Sequence, residues 1–325
     1  MINVKKNARI VFSSIFFLAA AAALFFVLIW RESRKECDFE PEYAFVTMDT
    51  WCSAVLKGEE EACRSGYKRI EEVFRRVEQA ADIFNADSEL SRINSGTSAG
   101  ARFELSPELA GLFRAAQQAY YATEGIFDPS VLPLLELYRR GHFTEAERAA
   151  AAALTGWEEA AVLDNDTLLI LKDGVKFDFG GIAKGYALDL AAAECGKTAG
   201  IRSGIINAGG NITVIGGMET EVAFADPDMP ESNGGLFLLS GGRACASSGD
   251  YRRGQHIIDI SKGEPAFTVH GVTVIAPTAT EADFWSTTLF IKPDFKLPDH
   301  ITGIIPDGSG GFRTFNTGEE VLLRK

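Results

Sequence analysis

The chain is poor in the residues that anchor several common chemistries. It has only five cysteines and four histidines among its 325 residues. Cys37, Cys52, Cys63, Cys195 and Cys245 are irregularly spaced and form no C-x-x-C pair, which argues against a zinc cluster and against a disulfide framework. Mostly buried or free thiols are expected. No G-x-x-x-x-G-K-[ST] or G-x-G-x-x-G run occurs and no Ser-His-Asp order competes, so P-loop, dinucleotide-fold and serine-hydrolase readings lack their signatures. Basic charge is also scarce. A formal net charge of −13 with no basic cluster beyond the flanks of one apolar run speaks against a nucleic-acid surface. An acidic protein that handles a polyanion needs a metal or backbone donors to offset repulsion.

What the chain does have begins with a long apolar run. Ile10–Trp30 is 21 uncharged residues, enough to cross a bilayer as a helix of about 30 Å. Leu24 to Trp30 follow its alanines where a signal peptide would carry a small-residue cleavage site, which favours an uncleaved anchor. Arg34, Lys35 and Glu36 before Cys37 are not the small and apolar residues that precede a lipidated cysteine. Basic residues number three on each side of the run, so charge leaves its topology open. The expected organisation is a short basic N-terminus (1–9), a transmembrane anchor (10–30), a polar tether (31–43) and one catalytic domain (44–325).

Within the domain, a β-rich stretch over 44–57 precedes helical spacing from Glu59 to Phe84 through Ile70, Val73, Phe74 and Val77. Pro107 after Ser106 starts a second helix running to about Thr123. Leu168–Asp178 reads as a hairpin turning at Asp173-Gly174, and Ile182–Thr198 as a helix. Beyond Ile205, short β runs and glycine turns dominate, with one more helix over Thr280–Phe290. Strands and helices without regular βαβ alternation predict an α+β fold on antiparallel sheet.

Four segments could carry chemistry. Lys176 to Tyr186 leads through Gly180-Gly181 into a helix with Lys184 in its first turns; it suits either a phosphate cradle or a tight turn with a surface lysine. Asn207-Ala208-Gly209-Gly210-Asn211 reads as a hairpin turn. His256, flanked by isoleucines after a run of hydroxyls and carboxylates, is either a structural histidine or a general base. Asp283 and Thr287 lie four apart on a helix, so a carboxylate and a hydroxyl could grip one hard cation; helix capping is the alternative.

Taken in order, Met48-Asp49-Thr50, Asp87 to Asn94, Gly125 to Ser130, Asp178 to Gly185, Asn207 to Asn211, Ser248 to Tyr251, His256 to Asp259 and Ala282 to Thr287 resemble the FAD:protein FMN transferases, the ApbE family. The resemblance spans residues 44 to 292 and implies an ApbE-like, T-fold-related α+β domain. It further implies a flavin contacted by Met48, Phe84, Ile126, Phe127, Asp128, Asp178, Lys184 and the His256 region. Magnesium would be held by Asp283, Thr287 and a backbone carbonyl near Gly181, with His256 as the base. FAD would be cleaved, FMN placed on a threonine or serine of a membrane redox complex of the sodium-pumping NADH:quinone reductase or Rnf type, and AMP released. Such acceptors present their threonine outside the cytoplasm, which implies a periplasmic or other extracytoplasmic domain. Two departures stand out: Asp49 where the family has glycine, and Phe84 where tyrosine is frequent. An FAD pyrophosphatase, with water replacing the acceptor hydroxyl, and a flavin-binding protein without turnover are the rival readings.

Overall fold

The computed structural model describes residues 42–225, 233–249, 257–306 and 311–316. The apolar run 10–30 and residues 31–41 of its tether lie outside them, as does His256; Tyr43, the last residue assigned to the tether, instead opens the first strand. Among the described residues no helix is long and apolar enough to cross a membrane.

An eight-stranded sheet forms the frame, its strands following chain order from edge to edge: Tyr43–Thr47, Thr50–Gly58, Ile201–Ala208, Asn211–Gly216, Ala244–Gly249, Gly271–Ala276, Thr302–Pro306 and Phe312–Phe315. Every neighbouring pair is antiparallel. Other elements are excursions from this meander. One, between Gly58 and Ile201, carries most of the helices and a small three-stranded sheet; another adds the hairpin Glu219–Ala225 with Asn233–Ser240.

Alternation along the strands splits the core into two layers. Ala246, Val274 and Ala276 face the helices, while Cys245 and Ile275 face the hairpin around Phe224, Phe237 and Leu239. On the helical side, Glu60–Ala81 buries Tyr67, Ile70, Val73, Phe74 and Val77 against Phe45, Cys52, Ala54 and Leu56 of the first two strands. Each large side chain so buried contributes on the order of 1.5–3 kcal/mol relative to exposure. The helices Ala183–Lys197 and Ala279–Ile291 lie over the same face. Cys52, Cys63, Cys195 and Cys245 are buried and unpaired, as the spacing implied, and burial pushes the thiols of Cys52, Cys195 and Cys245 up to about 12.

The 44–57 stretch is a hairpin rather than one strand: Thr47 pairs with Thr50 across Met48 and Asp49, both at positive φ (51° and 53°). Helix Pro107–Ala122 starts as expected, with the Ser106 hydroxyl accepting from the Leu109 N–H at 3.3 Å. The expected hairpin over Leu168–Asp178 is not formed. Thr167–Ile170 pairs back with Ala161–Asp164 instead, turning at Asn165-Asp166. Val175, Phe177 and Phe179 are buried in alternation, but no strand flanks them. The Asn94 amide takes that place, accepting from Phe177 N–H at 2.8 Å and donating to its carbonyl at 2.9 Å, while Asp178 N–H donates to the Pro129 carbonyl. The alternating pattern was real, and one side chain met its backbone requirement.

Candidate active site

A cavity of about 680 Å³ opens where the hairpin turns of the sheet meet the large excursion and the starts of two helices. It has a polar inner end and a partly apolar mouth.

The inner end is built by helices Ala183–Lys197 and Ala279–Ile291 in close contact. Gly185 allows this: a Cβ there would lie 2.2 Å from the Ala279 carbonyl oxygen. The same approach lets Gly185 N–H donate to Asp283 Oδ2 at 2.9 Å, and Lys184 Nζ sits 3.7 Å from Asp283 Oδ1. Asp283 is 3% exposed, so its carboxyl group meets a backbone N–H and the Lys184 side chain rather than water. One turn on, the Thr287 hydroxyl donates to the Asp283 carbonyl at 3.3 Å and lines the cavity. Gly181 completes the corner; a Cβ there would be 2.9 Å from Thr287 Oγ1 and 3.1 Å from Phe127. Asp283, Thr287 and Gly181 thus converge, and capping falls to another residue: the Thr278 hydroxyl accepts from Glu281 N–H.

This corner fits a hard cation. It brings together a carboxylate, a hydroxyl and the main chain of Gly181, the oxygen-donor chemistry that a hard cation such as magnesium prefers. Among the described residues no group of three or more His, Cys, Asp or Glu side chains could hold a metal by itself. Any ion here would rely on such additional oxygens.

Along one wall, Asp178 accepts from Gly180 N–H at 2.7 Å and lies 3.8 Å from Arg139 Nη2, so its carboxylate shapes the glycine turn before Lys184. Ile126, Phe127 and Asp128 follow a turn anchored by the Thr123 hydroxyl, which accepts from Phe127 N–H at 3.0 Å. Phe127 is buried and packs on Phe284 of the Asp283 helix. Asp128 lines the cavity, but its two oxygens are engaged with its own chain: one accepts from the Ser130 N–H and hydroxyl, the other from Gly156 N–H. Burial pushes its carboxyl upward, opposed by those hydrogen bonds.

At the mouth, Phe84 is 69% exposed, and the Arg139 guanidinium lies 4.9 Å from its ring centroid. Met48 and Asp49 occupy a two-residue turn with both residues left-handed, the conformation in which glycine, asparagine and aspartate are preferred. Asp49 therefore fits the backbone that glycine would serve, and it adds a carboxylate to the rim. Glu78 pins the turn, accepting from Thr47 Oγ1 at 2.8 Å and Met48 N–H at 2.5 Å. The Gly209-Gly210 turn lies alongside, again with both φ values positive. His256 is outside the described residues; Ile257, its neighbour in sequence, lines the cavity.

Sequence reasoning missed Glu78, Arg139 and Asp189. Glu78 and Arg139 sit on helices where acid and base read as solvated surface. Asp189 receives Ala279 N–H (2.8 Å), Thr280 N–H (2.9 Å) and the Thr280 hydroxyl (2.5 Å), thereby holding the start of the Asp283 helix from across the site. Burial raises its carboxyl pKa, with these hydrogen bonds opposing. Its one sequence signal was an acid amid the apolar residues of its helix.

Comparison with known proteins points to one family. The profile of the ApbE family matches residues 48–302. An FAD:protein FMN transferase from Rhodobacter capsulatus is 31% identical over 231 residues, covering 66% of this chain and 44% of that protein. This chain therefore spans less than half of that relative's length. The FAD:protein FMN transferase of Vibrio cholerae is 29% identical over 242 residues, covering 68% of this chain and 72% of the relative. Among solved structures, the ApbE protein from Thermotoga maritima superposes with a TM-score of 0.75 at 28% identity, covering 85% of this chain and 96% of that one. The flavin transferase ApbE from Vibrio cholerae shares the fold at a TM-score of 0.72 and 24% identity, with 85% and 96% covered. By sequence and fold alike, the chain belongs to the ApbE family.

Proposed function

We propose that this protein is a magnesium-dependent FAD:protein FMN transferase, joining FMN through a phosphoester to a threonine or serine of an acceptor protein and releasing AMP. The observation that carries this is the convergence of Lys184, Asp283, Thr287 and Gly181 at the closed end of a cavity whose mouth presents Phe84. One end suits a diphosphate and the other a planar ring.

In this reading Ile126, Phe127, Met48 and Phe84 hold the flavin ring, and Lys184 Nζ donates to a phosphate oxygen while Asp283 keeps the ammonium aimed inward. Magnesium bound by Asp283, Thr287 and the Gly181 carbonyl would supply neutralisation of phosphate charge. His256 takes the proton from the acceptor hydroxyl as its oxygen bonds to the FMN-side phosphorus and the bond to AMP breaks. Buried walls around Asp283 and Phe127 exclude water from the reacting phosphorus, which favours transfer to a protein hydroxyl over hydrolysis. The backbone fit of Asp49 supports an intact site over a binding protein that has lost turnover.

The apolar run 10–30 supports a membrane-anchored enzyme with its domain on the extracytoplasmic side. There it would meet an acceptor module of a redox complex of the sodium-pumping NADH:quinone reductase or Rnf type. The test is incubation of the full chain with FAD, magnesium and candidate acceptor, followed by intact-mass measurement. A mass gain of one FMN, abolished by EDTA and restored by magnesium, is expected. Free FMN and AMP without a modified acceptor would replace the proposal with a pyrophosphatase, and bound FAD that never turns over would replace it with a flavin-binding protein.

A further inference from the structure

Asn211 opens the strand Asn211–Gly216, directly after the Gly209-Gly210 turn. The residue is 1% exposed and lines the cavity, yet its Nδ2 is sealed from solvent with no hydrogen-bond acceptor. A buried amide donor left without a partner is unfavourable in the ligand-free fold and calls for an explanation.

Its position supplies one. Two residues on, Thr213 shares its face of the strand and pairs with Ala244. Ala244 packs with Ala187 and Ala279, on the two helices that carry Lys184 and Asp283. Asn211 therefore lies on the face of the sheet that these two helices cover, one residue inward from the Gly209-Gly210 turn. Ser248, another hydroxyl of that wall, is already occupied by Ser286 at 2.8 Å. The terminal torsion of asparagine is broad, so the amide can turn its NH₂ toward a ligand in the cavity without moving the strand.

We propose that Asn211 is a substrate-binding residue whose NH₂ donates to a diphosphate oxygen of bound FAD. This rests on the transferase reading for the identity of the ligand. An uncharged donor suits this position: the corner already holds Lys184 against Asp283, and a second buried ammonium would face that cation. The ligand supplies the acceptor that the protein withholds, so binding relieves an unfavourable group instead of exchanging one protein hydrogen bond for another.

The experiment uses the full chain in detergent with Asn211→Ala and Asn211→Asp, reading thermal unfolding with and without FAD and magnesium, FAD affinity, and kcat/KM for FMN transfer. In the ligand-free state Asn211→Ala is expected to unfold at the wild-type temperature or above it. Its FAD affinity should fall about tenfold or more, the loss of one hydrogen bond to a charged acceptor. Asn211→Asp should bind FAD more weakly still, because its carboxylate would oppose the phosphate. If Asn211→Ala unfolds earlier without ligand and keeps its FAD affinity, the residue is structural and the proposal fails. If Asn211→Asp binds FAD as well as Asn211→Ala or better, the contact is not with a phosphate and the proposal also fails. A wild-type chain that gains no stability from FAD and magnesium would instead remove the transferase reading itself.

Discussion

The two ends of the cavity are held in different ways. At the inner end main chain fixes the acids: Asp283 receives Gly185 N–H and Asp189 receives two N–H groups of the Asp283 helix, while Lys184 is held by Asp283 itself. At the mouth, Phe84 and Arg139 are held by side-chain contacts, the guanidinium lying over the Phe84 ring and beside Asp178, and both are substantially exposed. Groups that must meet developing charge work best when preorganised, since nothing has to reorient at the moment of reaction. Substitutions at the inner end should therefore change turnover, and those at the mouth should change substrate affinity.

The largest effect is expected at Asp283. Asp283→Asn keeps an oxygen to accept from Gly185 N–H but removes the charge that faces Lys184 and would face magnesium. Turnover should fall by about 10²–10³-fold or more, the cost of deleting one preorganised electrostatic element, while the unfolding temperature shifts little. A variant with wild-type turnover would detach the carboxylate from the chemistry and erase the contrast between the two ends. Gly185→Ala comes next, because its methyl must push the Ala279 carbonyl away and part the two helices. Overpacking of this kind costs about 1–3 kcal/mol. A calorimetric loss of stability in that range, with lower kcat, is expected; an unchanged melting temperature would mean that the helices can separate freely.

How much of this was legible in the sequence follows from how local each determinant is. Asp283 and Thr287 are one helical turn apart, so their shared face could be read directly, and the Gly209-Gly210 turn announced itself through two adjacent glycines. Helix Glu60–Ala81 was visible in the spacing of Ile70, Val73, Phe74 and Val77. By contrast, Phe177 and Phe179 alternate as a strand would, and only the fold shows that Asn94, 83 positions earlier than Phe177, meets the backbone needs of Phe177. Asp189 bonds to residues 90 and 91 positions away, and no short-range pattern marks such a pairing. The same holds for Glu78, whose partners Thr47 and Met48 lie 31 and 30 positions earlier. The family resemblance placed Phe84 and Lys184 in one site, but the support beneath them is visible only in the fold.

Asp189 tests that support. Asp189→Ala removes the acceptor for Ala279 and Thr280 N–H at the start of the helix that carries Asp283, and loss of a capping side chain costs about 0.5–2 kcal/mol. Turnover should drop severalfold while FAD affinity stays near wild type, because no ligand contact is lost. A fall in affinity equal to the fall in kcat/KM would show that Asp189 shapes the binding wall and not only the helix.

The mouth should give the smallest effects, and of opposite sign at its two charges. Arg139→Ala removes the cation over Phe84 and beside Asp178, so KM for FAD should rise a few-fold with kcat unchanged. Asp49→Gly removes an anion from the rim at a left-handed position that glycine adopts without strain, so stability should change by no more than about 1 kcal/mol. A polyanionic substrate then meets less repulsion, and KM for FAD should fall by a factor of about two to three at low salt. Near 1 M salt, where the screening length shrinks to about 3 Å, the difference should vanish. If the improvement persists at high salt, Asp49 acts by shape rather than charge, and the mouth would share the fixed, contact-by-contact character of the inner end.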